Sequence, residues 1–334
     1  MKSILQKTII NSKDLFKIMI PIIFIIKVIQ EFNALSYFSY LFYPIMWLLD
    51  IPQIYSLSWI GALLNNNYTA FSIIAILFNE YPITYEQLTE IALLCLICHS
   101  IIVESIISKE IGTTWYWSAG IRFFSSILTA YLFHIVCKKF FLLQSKVDTY
   151  VLSQSTHINT FMDYYKVGMF KHNFFIWLQD IGIWILEQIQ VMFVIFLIIF
   201  IIFAMVKVIH YFNLFAMLNK VLFPLCHMLK INKNNSFILF ICFIVGLSYG
   251  WGLLKEEKDN NNGFQKDQSF KVITFLAMSH AMIEDILIFT ILGANFWLVF
   301  IIRLLASVVI VYLLSAFILP SLSNKFKSKY LFSL

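Results

Sequence analysis

Charge is scarce in this chain: 13% of its 334 residues are Asp, Glu, Lys or Arg, whereas 60% are hydrophobic. A soluble domain carries about 25% charged residues, so a water-facing globule is excluded and an integral membrane protein is implied, in line with a mean hydropathy of +0.83. Cysteine is equally sparse. Cys95, Cys98, Cys137, Cys226 and Cys242 all sit in or beside apolar segments and read as small buried hydrophobes. Residues 95–99 match the CxxCH haem-attachment pattern, but they fall inside a spanning segment, and the corresponding later stretch has Leu276 and Ser279 at the cysteine positions. No haem, and no other cofactor, is expected.

Other absences narrow the class further. There is no GxxxxGK[ST] phosphate loop. No serine, cysteine or metal motif is paired with a base at catalytic spacing, so the chain does not read as an enzyme. The apolar run over 15–32 follows Lys2, Lys7 and Lys13 but no small-residue cleavage site comes after it, which predicts a retained first helix. The net charge of +6 derives mainly from lysines at segment ends, among them Lys138, Lys139, Lys325, Lys327 and Lys329. Such flanks suit a bilayer surface and give no support for a nucleic-acid partner.

What the chain does have is long apolar runs and a polar signature that occurs twice. Residues 188–206 carry no charge, enough to cross a hydrocarbon core of about 30 Å at about 1.5 Å per residue. Gln87, His99, Glu104, Gly112, Arg122 and Ser126 recur 181 positions later as Gln268, His280, Asp285, Gly293, Arg303 and Ser307. Upstream, Lys27, Val28, Ile29, Phe32, Asn33 and Pro44 recur 180 positions later as Lys207, Val208, Ile209, Phe212, Asn213 and Pro224. The expected fold is therefore all-α: a polytopic membrane helix bundle built from two internal repeats of about five apolar segments. In the first half these lie near 15–32, 35–49, 53–78, 86–108 and 115–137, and in the second near 188–209, 214–229, 236–254, 268–291 and 296–319. Residues 1–142 form the first repeat and 188–334 the second. Residues 143–187 between them form a polar linker followed by an interfacial helix. The second segment of each half is short and carries Pro44 or Pro224, so a re-entrant path is open to it, and with it the choice between parallel and inverted repeats.

Ionisable groups within membrane-length segments are costly and mark function or deliberate pairing. Residues 84–87 have capping-box spacing, which predicts a helix running from there towards Gly112. Positions 104 and 122 are centred on 113, beside Gly112, and positions 285 and 303 on 294, beside Gly293. Two antiparallel hairpins would thus set Glu104 against Arg122 and Asp285 against Arg303 as intramembrane ion pairs. His99 and His280 lie five residues before the acids, a helical offset of about 140°, so one continuous helix does not aim both at a common ligand. Glu284, four residues after His280, shares its face. His99, His280 and Glu284 are the candidates for proton or ion coupling, set beside a structural alternative in which each histidine simply bonds a backbone carbonyl. A divalent metal site is the rival reading, since two histidines and three carboxylates suit a borderline ion.

The third segment of each half is interrupted, by Asn65-Asn66-Asn67-Tyr68 in one and Gly246-Leu247-Ser248-Tyr249-Gly250 in the other. Paired interruptions in equivalent segments point to a solute site at the bilayer midplane. Asn65, Asn66, Asn67, Tyr68, Gly246, Ser248, Tyr249 and Gly250 are accordingly the candidate substrate contacts. Close packing through Gly246 and Gly250 at GxxxG spacing is the competing account.

Together with the His99 to Glu104 block and Ser279-His280 with Glu284-Asp285, these interruptions resemble the bacterial Gate-domain, or nucleoside-recognition, inner-membrane proteins with two Gate repeats in one chain. That group is itself more distantly similar to spore maturation proteins, the ferrous-iron permease core and concentrative nucleoside transporters. The resemblance implies a multi-pass protein of the bacterial cytoplasmic membrane whose partners are the lipid bilayer and a small-molecule or ion substrate; a homo-oligomer stays open. It also implies a permease or secondary transporter. A non-transporting scaffold that regulates another membrane protein is the first alternative, and divalent metal transport the second.

Overall fold

The computed structural model describes residues 34–78, 81–140 and 266–323 continuously, apart from the side chains of 34–39, 72, 76 and 266–268. It also describes 142–143, 145–147, 330–332 and scattered positions within 4–24, 181–208, 227 and 239–255. Most of the expected linker and interfacial helix, and Pro224, Cys226, Ser248 and Tyr249, lie outside the described residues.

Ten helices follow one another in the continuous stretches. They are α1 (Ala34–Leu48), α2 (Ser56–Leu64), α3 (Asn67–Leu77), α4 (Tyr85–Ile97), α5 (Ile101–Ile111), α6 (Trp115–Phe140), α7 (Lys266–Ser279), α8 (Glu284–Ile291), α9 (Phe296–Leu313) and α10 (Leu319–Ser321). A 3-10 turn, Gln53–Tyr55, leads into α2, and a π turn, Leu314–Ile318, joins α9 to α10. Four stretches are long and apolar enough to cross a membrane: Tyr85–Ile111, Trp115–Phe140, Ser269–Ile291 and Phe296–Ser321.

The first and third of these form the interior, with 78% and 83% of their apolar windows buried, against 44% and 39% for the other two. On α6 the exposed ridge is Phe124, Leu128 and Leu132, and on α9 it is Leu305, Val309 and Leu313. Residues four apart share a helix face. The opposite faces bury Arg122, Ser126 and Thr129 on α6 and Arg303 and Ser307 on α9. Polar inside and apolar outside is the reverse of a water-soluble amphipathic helix, and it makes α6 and α9 lipid-facing staves around the inner pair.

The helix ends follow local chemistry. At the start of α4, Gln87 N donates to Thr84 Oγ1 at 3.2 Å and Thr84 N to Gln87 Oε1 at 3.0 Å, the reciprocal capping box expected there. Gly112 has φ +125° and Gly293 φ +109°, the left-handed conformation glycine adopts without penalty. Past each glycine, Thr113 N reaches Ser108 O at 3.0 Å and Ala294 N reaches Phe289 O at 3.1 Å, closing the helix as the chain turns into α6 or α9.

Two expectations are corrected. The segment over 53–78 does not cross: α2 and α3 fold back on each other at Asn65, whose φ of −116° and ψ of −90° leave the helical region. Tyr55, at its entrance, donates its hydroxyl to Tyr81 O at 2.7 Å beyond its exit. Re-entrant shape therefore belongs to this third segment, whereas Pro44 sits within the 15-residue helix α1. Secondly, the spans over 85–111 and 269–291 are not single helices. Each breaks at its middle, where Ser100 (φ 43°) and Ala281 (φ 49°) are left-handed. No glycine, proline or asparagine marks either break; donors from Arg122 and Arg303 replace the lost helical bonds.

Small residues let the folded-back hairpins close. A Cβ on Gly61 would fall 2.9 Å from Ile73 Cδ1 and 3.0 Å from Thr69 Cγ2; on Gly250 it would fall 2.2 Å from Cys242 Sγ. Close packing thus accounts for Gly250, while Gly246, at φ +116°, bends the chain. Gly250→Ala is expected to destabilise by about 1–3 kcal/mol through overpacking. The double variant with Cys242→Ala should recover most of that loss in a thermal unfolding series, because the obstructing sulfur is gone.

Candidate functional site

The two broken spans meet at their breaks. Cys98 is the middle residue of Tyr85–Ile111 and His280 the middle residue of Ser269–Ile291. A helix that stops in an apolar interior leaves backbone carbonyls without partners, and in both cases an arginine from the neighbouring stave supplies the donors. Arg122 Nε donates to Ile97 O at 3.1 Å and Nη2 to His99 O at 2.6 Å. Arg303 Nε donates to Met278 O at 2.9 Å and Nη2 to His280 O at 2.8 Å. A guanidinium offers both bonds from one plane, and its charge lies at the negative end of a helix dipole. Both arginines are fully buried.

The third nitrogen distinguishes the halves. Arg122 Nη1 lies 2.7 Å from Glu104 Oε2, the ion pair expected from the hairpin geometry. In the other half Asp285 and Arg303 attract one another across a longer gap and make no ion-pair contact among the described residues. Aspartate is one methylene shorter than glutamate, and Asp285 Oδ2 turns instead to His99 Nε2, 3.5 Å away.

The helix breaks also overturn the expected angular separation of histidine and acid. With α4 ended and α5 restarted, His99 and Glu104 converge: His99 Nε2 is 3.3 Å from Glu104 Oε1. His280 Nε2 is 3.0 Å from the same oxygen and 3.1 Å from His99 Nε2. Glu284, expected to share a face with His280, is separated from it by the break and accepts from the Tyr68 hydroxyl at 3.1 Å instead. His99, His280, Glu104 and Asp285 are each at most 8% exposed.

The ring orientations decide what this group lacks. His99 Nδ1 faces Cys95 O at 3.3 Å and His280 Nδ1 faces Leu276 O at 2.8 Å. A carbonyl only accepts, so each Nδ1 carries the hydrogen and each neutral ring turns an Nε2 lone pair inward. The formal charges of Glu104, Asp285, Arg122 and Arg303 already cancel. Two nitrogen lone pairs and a carboxylate oxygen then meet within 3.3 Å with no donor among them. Such a cluster is repulsive until one proton or metal cation enters it.

The interruption of the re-entrant hairpin is fastened to this centre. Ser100 N donates to Ala62 O at 2.8 Å and Ser100 Oγ to Asn65 O at 2.5 Å. On the other side Met282 N donates to Phe243 O at 2.9 Å. Of the asparagines proposed as solute contacts, Asn66 Oδ1 caps α3 by accepting from Thr69 N at 3.0 Å, and Asn65 Nδ2 donates to Thr69 Oγ1 at 2.7 Å. Only the amide of Asn67, buried at 2% exposure, leaves both its polar atoms without hydrogen-bond partners among these three.

A second polar group was not anticipated. Glu86 and Glu90 on α4 surround His134 of α6, with Asp50 and Lys138 at its edge. The signal available in the sequence was a pair of glutamates four apart at the head of an apolar helix, facing a histidine in another apolar run. A search keyed to duplication passes over them, because the positions 181 further on hold Asp267, Lys271 and Ser315.

Comparison with known proteins adds one relative. The chain is 31% identical over 87 residues to an uncharacterized membrane protein, YvoD, of Bacillus subtilis strain 168; the match takes in 26% of this chain and 28% of that protein. No family model matches, and no solved structure matches. Taken with the four membrane-length apolar helical stretches, the relative supports a helical membrane protein.

Proposed function

We propose that the chain is a multi-pass permease of the bacterial cytoplasmic membrane, made of two Gate-like repeats, that moves a small solute in step with one cation held between His99 and His280. The observation that carries this reading is the meeting of both Nε2 atoms and Glu104 Oε1 at 3.0–3.3 Å, buried, at the middle of two broken spans. Ion sites formed by discontinuous helices at mid-membrane are the working parts of secondary transporters. The re-entrant tip, with Asn67 and Tyr68 beside Glu284, is the solute side of the site, and its bonds through Ser100 couple it to the cation. A nucleoside-like or an ionic solute fits this polar lining.

A specific observation favours a second reading in which the cation is itself the cargo. One ligand atom from each of His99, Glu104 and His280 lies within 4.8 Å of the others, and imidazole with carboxylate suits divalent transition ions.

The test is a thermal-shift screen of the purified chain against nucleosides, amino acids, organic anions and divalent cations, followed by uptake of the stabilising class into proteoliposomes under an imposed pH gradient. His280→Ala, with folding confirmed, is expected to reduce uptake at least about tenfold, by analogy with loss of a metal-site partner. Uptake equal to wild type removes the coupling role, and a chain that neither binds nor moves any class is a scaffold.

A further inference from the structure

The group around His134 is a site of its own. Glu86 and Glu90 sit four residues apart on α4 and so share a face. His134 of α6 reaches between them, Nδ1 lying 2.7 Å from Glu90 Oε1 and 3.5 Å from Glu86 Oε1. All three side chains are buried, Glu90 completely. Asp50 lies at the outer edge, 3.9 Å from His134 Nε2, and is bonded by Lys138; this pair is more than half exposed and forms the mouth of the group. Glu90 precedes His99 by nine residues, about 13 Å along a helix, so the two polar groups are separate.

Lys138, the cation at the mouth, is committed to the exposed Asp50. Glu90 Oε2 is buried without a hydrogen-bond partner among the described residues. Buried carboxylates are paired or coordinate metal, and one imidazole with two carboxylates is a donor set for borderline divalent ions. One ligand atom from each residue already lies within 4.8 Å of the other two. Metal bonds of about 2.0–2.2 Å place tetrahedral donors about 3.4 Å apart, so the 2.7 Å contact need open by less than an ångström.

We propose that Glu86, Glu90 and His134 bind a divalent first-row transition cation of the Zn2+ or Mn2+ type, admitted past Asp50 and Lys138. The site belongs to the first half alone and stands whether or not the central histidines couple transport.

The experiment uses the full-length chain in lipid nanodiscs, dialysed against Zn2+ or Mn2+ and assayed for bound metal by mass spectrometry. Glu90→Gln and His134→Gln are each expected to hold one equivalent fewer than wild type, with affinity weakened at least about tenfold, the lower bound for losing even an outer partner of a ligand. Glu86→Gln keeps the Glu90–His134 contact, and with it the local packing, yet should weaken binding in the same sense. His280→Ala should keep the equivalent. A wild-type chain that binds neither metal, or substituted chains that bind both as wild type does, overturn the proposal. Metal lost from His280→Ala but kept by Glu90→Gln belongs to the central histidines and overturns it too.

Discussion

Arg122→Met is expected to be the most damaging single substitution in the first half, lowering stability by about 3–5 kcal/mol, the range for removing one partner of a buried ion pair. Glu104 would lose the guanidinium 2.7 Å from its Oε2, and the carbonyls of Ile97 and His99 would lose their donors. Arg122→Lys should recover little, because an ammonium on a single stem cannot serve two carbonyls and a carboxylate in one plane. The informative variant is Arg122→Met with Glu104→Gln. Were charge pairing the whole role, the double variant would regain most of the loss, since replacing both ions can be neutral. With the end of α4 still open, only partial recovery is expected.

Arg303 supplies the control. It makes the same two carbonyl contacts, but Asp285 acts on it only from beyond ion-pair contact. If closing a broken helix is the main task, Arg303→Met should destabilise nearly as much as Arg122→Met in thermal or denaturant unfolding. A neutral Arg303→Met would refute the helix-end role.

Those arginines show how far the sequence could be read. Hairpin symmetry about Gly112 and Gly293 located Glu104 opposite Arg122, because loop position and rise per residue fix depth in an antiparallel pair. The same symmetry set Asp285 against Arg303, and the two charges do attract one another, but depth says nothing of the missing methylene that leaves them out of contact. The break at residues 65–67 was legible because asparagine weakens a helix interior. The breaks at Ser100 and Ala281 were not: they depend on donors brought from Arg122, Arg303 and the re-entrant tip, contacts far apart in sequence. Assuming continuous helices then separated His99 from Glu104 and joined His280 to Glu284, both the reverse of what the folded chain does. Glu90 and His134 were missed for a different reason, as duplication selects what two halves share and is blind to what one half adds.

The second large effect separates the two central acids, which stand at equivalent positions yet do different work. Glu104 touches Arg122 through one oxygen and both histidines through the other, whereas among the described residues Asp285 lies 3.5 Å from His99 and acts on Arg303 from farther off. Glu104→Gln should therefore leave Arg122 as an uncompensated buried cation, a penalty of about 3–5 kcal/mol. It should also weaken cation binding, because the new amide can donate to an inward Nε2 lone pair and fill the place of the cation. Asp285→Asn breaks no hydrogen bond, because Oδ2 faces a lone pair of His99, and should cost less than the ~1 kcal/mol of an ordinary hydrogen bond. Lengthening the same side chain, Asp285→Glu, would bring a carboxylate towards Arg303 Nη1 and is expected to stabilise. Unfolding midpoints for the three variants, read beside Zn2+ and proton titrations of the purified chain, decide the matter. Equal losses for Glu104→Gln and Asp285→Asn would mean that the acids act as a symmetric pair, and that a cation bound as proposed between His99 and His280 has no preferred side.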